Sequence, residues 1–370
     1  MTQSFNIREY YAETRMKNAL LTPISLGALD LENRVVMAPM TRDRAGAGDV
    51  PTDTMVEYYR QRAGAGLIIT EGTQPCPEGK GYWRTPGIYS EAQIEGWARV
   101  AEAVHREGGR IVMQLMYCGR VVVPENRGYE ADIVGASVEA CPDPIPGPDG
   151  TPRSTAVPRA LAENEIMVVA NQFAAAARNA RCAGIDGVEL HCASGYLVNQ
   201  FLNRATNTRT DYWGGNAEKR ARFPVTIASA LANAIGADRV GMRISPGNPY
   251  NGMDPGDVES AFAPFLRAID VLGLAYLHIL DLQLPDCDAS GLARIHWSGP
   301  LILNNLMTQE SGAQAVEDGR ADAISFGRAF VANPDLVERF RAGAPLSRPD
   351  YALLYTGEER GYSDYPAWRE

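Results

Sequence analysis

Three side chains able to move protons or donate hydrogen bonds, His191, Ser194 and Tyr196, follow directly on the apolar run at 187–190. Polar groups at the end of a buried strand are costly unless they are satisfied or do chemistry, and the carboxyl ends of barrel strands are where enzymes of that architecture keep their catalytic residues. The pattern His-x-x-Ser-Gly-Tyr at such a strand end therefore reads as one wall of an active site. Taken alone, the triplet suits a satisfied histidine and a tyrosine packed under a loop equally well.

Such a triplet needs a scaffold, and short apolar runs recur along the chain at 34–37, 67–70, 110–115, 187–190, 240–244, 275–279, 300–303 and 323–326. Amphipathic stretches at 93–107, 163–183, 217–235, 257–272 and 309–318 lie between them. This βα alternation predicts an α/β fold, a (β/α)8 TIM barrel. A doubly wound open sheet is the rival, but eight similarly spaced units without a nucleotide fingerprint favour closure. Gly64-Ala65-Gly66 precedes its strand, whereas a dinucleotide loop follows one. The segment 124–158, rich in Pro, Gly and Asp, is too long for a βα loop and reads as a lid insertion after strand 3.

Composition narrows the function. A chain of 370 residues with 45% hydrophobic content can bury a full barrel core, so residues 18–370 are expected to form one domain preceded by an arm, 1–17, that carries Phe5, Ile7, Tyr10 and Tyr11. Glu9 and Glu13 interrupt any basic transit pattern in that arm. A net charge of −10 without a basic block argues against nucleic-acid or anionic-membrane partners. The six cysteines and four histidines show no metal-ligand spacing, so no metal is expected. Asp286-x-Asp288-x-Ser290-Gly291 opens like a calcium loop but has Trp297 where the bidentate Glu belongs. Scattered thiols and no signal peptide favour the cytoplasm. The expected partner is a small molecule, and the expected assembly a monomer or homodimer.

The stretch 186–222 resembles the signature of the Old Yellow Enzyme family, flavin-dependent ene-reductases. Leu197, Gln200, Phe201, Leu202, Arg209, Thr210, Asp211, Gly214 and Gly215 all match, and the resemblance runs from near Asn18 to the tail. It implies FMN, NADPH or NADH as reductant, and activated C=C bonds of α,β-unsaturated carbonyl compounds as substrates. Pro39, Met40 and Thr41 match the first-strand motif that contacts the flavin, Gly72 the second. Gln114 corresponds to the amide on the pyrimidine edge and Arg243 to the cation beside N1. Gly327 and Arg328, with Asn304 as a weaker member, correspond to the phosphate cup. No adenosine-binding module is evident, so FMN is favoured over FAD.

The same resemblance makes His191 the donor to the substrate oxygen and Tyr196 the acid that protonates the α-carbon, with Met116 and Tyr355 lining the substrate pocket. The chain departs from the pattern at four places. Ser194 stands where Asn or His is usual, Met116 where Trp is common, Tyr117 in place of a typical His, and Leu354 in place of a Phe. A hydroxyl on a short stem reaches less far than an amide, which leaves open a same-fold desaturase, oxidase or isomerase as the alternative activity.

Overall fold

The computed structural model describes residues 18–368 apart from Asp257, Asp286 and Asn305. The arm 1–17, the start of the calcium-like loop at Asp286 and the second asparagine of Asn304-Asn305 therefore lie outside the described residues. Eight parallel strands close into a barrel: β1 Val35–Met37, β2 Leu67–Ile69, β3 Ile111–Leu115, β4 Gly187–Cys192, β5 Val240–Ile244, β6 Tyr276–Leu280, β7 Leu301–Asn304 and β8 Ala323–Phe326. All eight expected runs are strands. β4 continues two residues past its apolar stretch, so His191 belongs to the strand itself and pairs with Arg243 of β5.

The helices that cover the barrel are α1 Asp53–Arg60, α2 Glu91–Arg106, α3 Glu163–Cys182, α4 Leu197–Leu202, α5 Ala217–Ile235, α6 Val258–Asp270, α7 Ala289–His296, α8 Gln309–Glu317, α9 Arg328–Ala332 and α10 Leu336–Ala342. Their starts are set by local chemistry. Ser90 and Gln93 make a reciprocal capping box at α2, and the Asn216 side chain accepts from Lys219 N at α5, each satisfying an orphan N–H.

Strand alternation divides the barrel into two environments. Outward-facing residues such as Val188, Leu190, Met242 and Ile279 pack against the helices in the main core. Inward-facing Val36, Leu67, Ile69, Val112, Tyr276, Ile302 and Ala323 form an apolar floor, plugged from below by the hairpin Ile24–Leu26 and Leu29–Leu31. Gly241 is required in this floor, because a Cβ there would come within 2.1 Å of the Tyr276 ring. One step further along the same strands the inward positions become polar: Gln114, Glu189, Arg243, His278, Asn304 and Ser325, all buried.

The insertion after β3 is ordered as short pairings, Val134–Gly135 with Arg159–Ala160 and Ile145–Pro146 with Pro152–Arg153. Its Cys141 and Ile145, with Val121, Val122 and Val123, pack directly on Met116 and Tyr196. The lid reading of this segment thus acquires a floor. Arg209 of the Arg-Thr-Asp motif bolts it down by donating to Ala136 O at 3.0 Å and Leu161 O at 2.6 Å.

At the same end, three buried arginines hold the C-terminal tail by its main chain. Arg42 donates to Leu354 O at 2.9 Å and Gly361 O at 2.7 Å, Arg44 to Leu353 O at 2.9 Å, and Arg62 to Tyr362 O at 3.4 Å. The Tyr362 ring stacks on Tyr58 with centroids 4.0 Å apart.

Candidate active site

The polar layer of the barrel is one connected network. His278 lies at its centre, with Nδ1 2.8 Å from Glu189 Oε2 and Nε2 2.8 Å from Ser325 Oγ. Arg243 approaches the same ring at 3.3 Å and donates to Asn304 Oδ1 at 2.8 Å, while Asn304 Nδ2 donates to Ser325 O at 2.9 Å. Burial alone would push the Glu189 carboxyl up, but His278 and Arg243 outweigh it and hold the group below the ordinary carboxylate range. Burial and then the charge of Arg243 keep His278 below its ordinary value, hence neutral. Glu189 is therefore the anion that compensates Arg243, with a neutral imidazole between them.

The network also orients Gln114. Its Nε2 donates to Glu189 Oε1 at 2.8 Å, and a carboxylate can only accept. The amide is thereby fixed with its oxygen available to another partner. Glu189 and His278 went unmarked in the sequence because each sits inside an apolar run. The signal that could have found them is period two: both occupy the inward positions shared by Gln114 and Arg243.

Above this layer, His191 Nδ1 accepts from Ala193 N at 3.2 Å, which leaves the proton on Nε2. Burial, followed by Arg243, lowers its pKa to about 3, so the ring is a neutral donor. Tyr196 stands edge-on to it, ring centroids 4.8 Å apart, and burial raises the phenol well above its ordinary 10.0. Its position is secured from the following helix, where Gln200 Nε2 donates to Gly195 O at 2.8 Å and to Cys118 O at 3.2 Å.

Ser194 adopts φ 54°, the left-handed region. Its N–H donates to Ser245 Oγ at 3.0 Å and its carbonyl accepts from Asn251 Nδ2 at 2.8 Å, whereas its hydroxyl bonds no described residue. Tyr117 points elsewhere: it is buried in the outer core and stacks on Phe173 of α3, so it does not stand in for the missing donor. Met116 lies over Gly72, where a Cβ would meet its Sδ at 2.6 Å. Tyr355, 57% exposed, projects from the tail near enough to Tyr196 to oppose its ionisation.

Across the barrel mouth, Met40, Asn304, Ser325, Gly327 and Arg328 line a cavity of about 300 Å³. A Cβ on Gly327 would meet nothing closer than Met40 Sδ at 3.4 Å, so packing within the protein does not demand glycine there. The Thr41 hydroxyl and the exposed Arg328 guanidinium have no hydrogen-bond partner among the described residues. Pro39 and Met40 lie half-buried just past β1.

Comparison with known proteins gives a consistent assignment. Residues 19–347 match the model of the NADH:flavin oxidoreductase / NADH oxidase family. A probable flavin mononucleotide-dependent alkene reductase of Leishmania infantum is 41% identical over 362 residues, covering 96% of this chain and 99% of that one. Among solved structures, the Old Yellow Enzyme homologue from Zymomonas mobilis superimposes with a TM-score of 0.92 at 38% identity, covering 95% of this chain and 100% of that chain. Morphinone reductase in complex with tetrahydroNAD gives 0.90 at 41% identity, with 95% and 98% covered.

Proposed function

The chain belongs to the NADH:flavin oxidoreductase / NADH oxidase family and is an FMN-dependent ene-reductase of the Old Yellow Enzyme type, and on that premise we propose how its own residues divide the work. FMN, when bound, supplies the redox chemistry, taking hydride from a nicotinamide and passing it to the β-carbon of an activated alkene. Thr41, Gln114 and Arg243 hold the ring edge, Pro39, Met40 and Gly72 approach it through main chain, and Gly327 and Arg328 hold the phosphate. Asn304 contributes by bracing Arg243. The fit rests on unsatisfied chemistry: an oriented amide oxygen, a spare hydroxyl, a spare guanidinium, and a glycine on the cavity wall that packing within the protein does not require.

His191 donates Nε2–H to the carbonyl oxygen of the substrate, where negative charge gathers as the β-carbon is reduced. Tyr196 gives its proton to the α-carbon. Ser194, Met116 and Tyr355 complete the pocket wall. The observation that carries this reading is the bond from Ala193 N to His191 Nδ1, because it leaves the imidazole proton on Nε2 of a ring that Tyr196 meets edge-on. The reductant is NADPH or NADH, and both are offered in the decisive experiment: anaerobic mixing should bleach the yellow protein, and cyclohexenone should restore the colour. Failure of either step overturns the reading.

We place the protein in the cytoplasm, since all six cysteines are free thiols, and no helix among the described residues is long and apolar enough to cross a membrane. Residues 18–370 are proposed as one FMN-binding unit, acting as monomer or homodimer.

A further inference from the structure

Tyr196 is only 9% exposed, sealed beneath the lid cluster of Met116, Cys118, Val121 and Ile145. An acid that gives a proton to carbon must recover one from water before the next turnover, and a bare phenolate in this apolar setting is costly. The mechanism above offers no route for that recovery, because His191 is held neutral and its one proton faces the substrate oxygen.

A second phenol meets this need. Tyr82, on the loop after β2, places its hydroxyl 3.0 Å from that of Tyr196, with the rings edge-on and centroids 6.2 Å apart. Tyr82 is itself half-buried, and Tyr250, on the loop after β5 and 51% exposed, lies near enough to oppose ionisation of the Tyr82 phenol. Three loops from three barrel strands thus bring three phenols into one neighbourhood, the innermost two in direct hydroxyl contact and the outermost half-exposed. Cys118 lies beside both inner phenols, but burial pushes its thiol up to about 12, so it keeps its proton.

We propose that Tyr82 and Tyr250 form a proton relay that reprotonates Tyr196 from solvent, a role that rests on Tyr196 being the acid of the alkene half-reaction. The balance is simple. As Tyr196 O–H breaks and the α-carbon gains a proton, Tyr82 passes its hydroxyl proton to the Tyr196 oxygen, Tyr250 passes its own to Tyr82, and water restores Tyr250. One proton moves inward and no electrons move along the chain. Tyr82 is a positioning residue here, acting on the substrate only through Tyr196.

The test separates the relay from the acid it serves. Flavin reduction by the nicotinamide and reoxidation by cyclohexenone are followed separately by rapid mixing, with ferricyanide as an oxidant that needs no proton on carbon. Tyr82→Phe should slow enone reoxidation by about tenfold, an order below the loss of a general acid. Reduction and ferricyanide oxidation should stay within about twofold of wild type on the same scale. A proton inventory in mixed light and heavy water should be curved in the wild type and linear in Tyr82→Phe. Tyr250→Phe, at a half-exposed position that folding tolerates, should slow the same step, and the double variant should be no slower than Tyr82→Phe, because the links act in series. Unchanged reoxidation in Tyr82→Phe, or equal losses with enone and ferricyanide, overturns the relay while Tyr196→Phe remains selectively impaired. If Tyr196→Phe reoxidises normally, the acid assignment fails instead, and the relay fails with it.

Discussion

The backbone N–H of Ala193 donates to His191 Nδ1 across 3.2 Å, so the imidazole carries its proton on Nε2 and, buried beside Arg243, no charge. With its pKa lowered to about 3, chiefly by burial, the ring should not titrate between pH 4 and 8. The ring's NMR signals should stay those of the Nε2–H tautomer across that range. Stability follows with a definite sign. Below pH 6.5 the unfolded ring binds a proton that the folded ring refuses, so this site costs about 1.4 kcal/mol per pH unit as pH falls, ending near the folded value. Asp43 and Glu71, whose carboxyls burial raises to about 8 and about 7, act with the opposite sign, so the share of His191 is read as the difference between wild type and His191→Gln in urea titrations at pH 7 and 5.

Ser194 at φ 54° occupies a conformation that asparagine tolerates better than serine. Ser194→Asn should therefore cost no stability, and it restores the amide donor that the family pattern has at this position. Binding of p-hydroxybenzaldehyde, read from its long-wavelength band with the flavin, should tighten about tenfold, the worth of one hydrogen bond to a charged group. No change in affinity would mean that another group already fills the second position.

Replacing the acid and the anchor should have different kinetic signatures. Tyr196→Phe should slow enone reoxidation by about 10² or more and leave reduction by the nicotinamide intact. His191→Ala should slow both half-reactions, since the nicotinamide amide and the enone oxygen are proposed to share that donor. Equal losses in the two halves for Tyr196→Phe would shift weight to a desaturase or isomerase activity on the same fold.

Glu189 is the sole carboxylate of the barrel network among the described residues, and it balances Arg243 through His278. Glu189→Ala should leave a buried guanidinium unpaired, at a cost of about 3–5 kcal/mol. Because Gln114 loses its acceptor as well, the protein should retain FMN poorly even where it folds. Denaturant midpoints and the flavin-to-protein absorbance ratio report the two effects independently.

Gly327→Ala tests the cavity directly. Nothing closer than 3.4 Å opposes a Cβ there, so the apoprotein should melt within a degree or two of wild type. FMN affinity should fall at least about tenfold if the backbone of this residue lies against the phosphate.

Much of this was legible in the chain, for identifiable reasons. Strands of a closed barrel are buried on both faces, so 240–244 and 323–326 stand out as apolar runs with their observed limits. Long amphipathic helices such as Ala217–Ile235 were equally plain. The short ones were not: Leu197–Leu202 is buried on every side and shows no polar face to mark its period. In the site, the family motifs led to His191, Tyr196, Gln114 and Arg243. Glu189 and His278 were hidden in apolar runs, and Tyr82 and Tyr250 lie on loops whose meeting depends on how the strands close.

The arginines that grip the tail take hold of carbonyl oxygens at Leu353, Leu354, Gly361 and Tyr362. Every amino acid supplies a carbonyl. Gly361 and the buried Tyr362 anchor the segment by shape, but next to position 355 the grip is on main chain alone, so Tyr355 hangs from a mount that does not ask what it carries. Substitutions at 355 and beside it can accumulate without disturbing the barrel or the cofactor contacts, so the rim of the pocket can be retuned for new alkenes while the chemistry beneath it stays fixed.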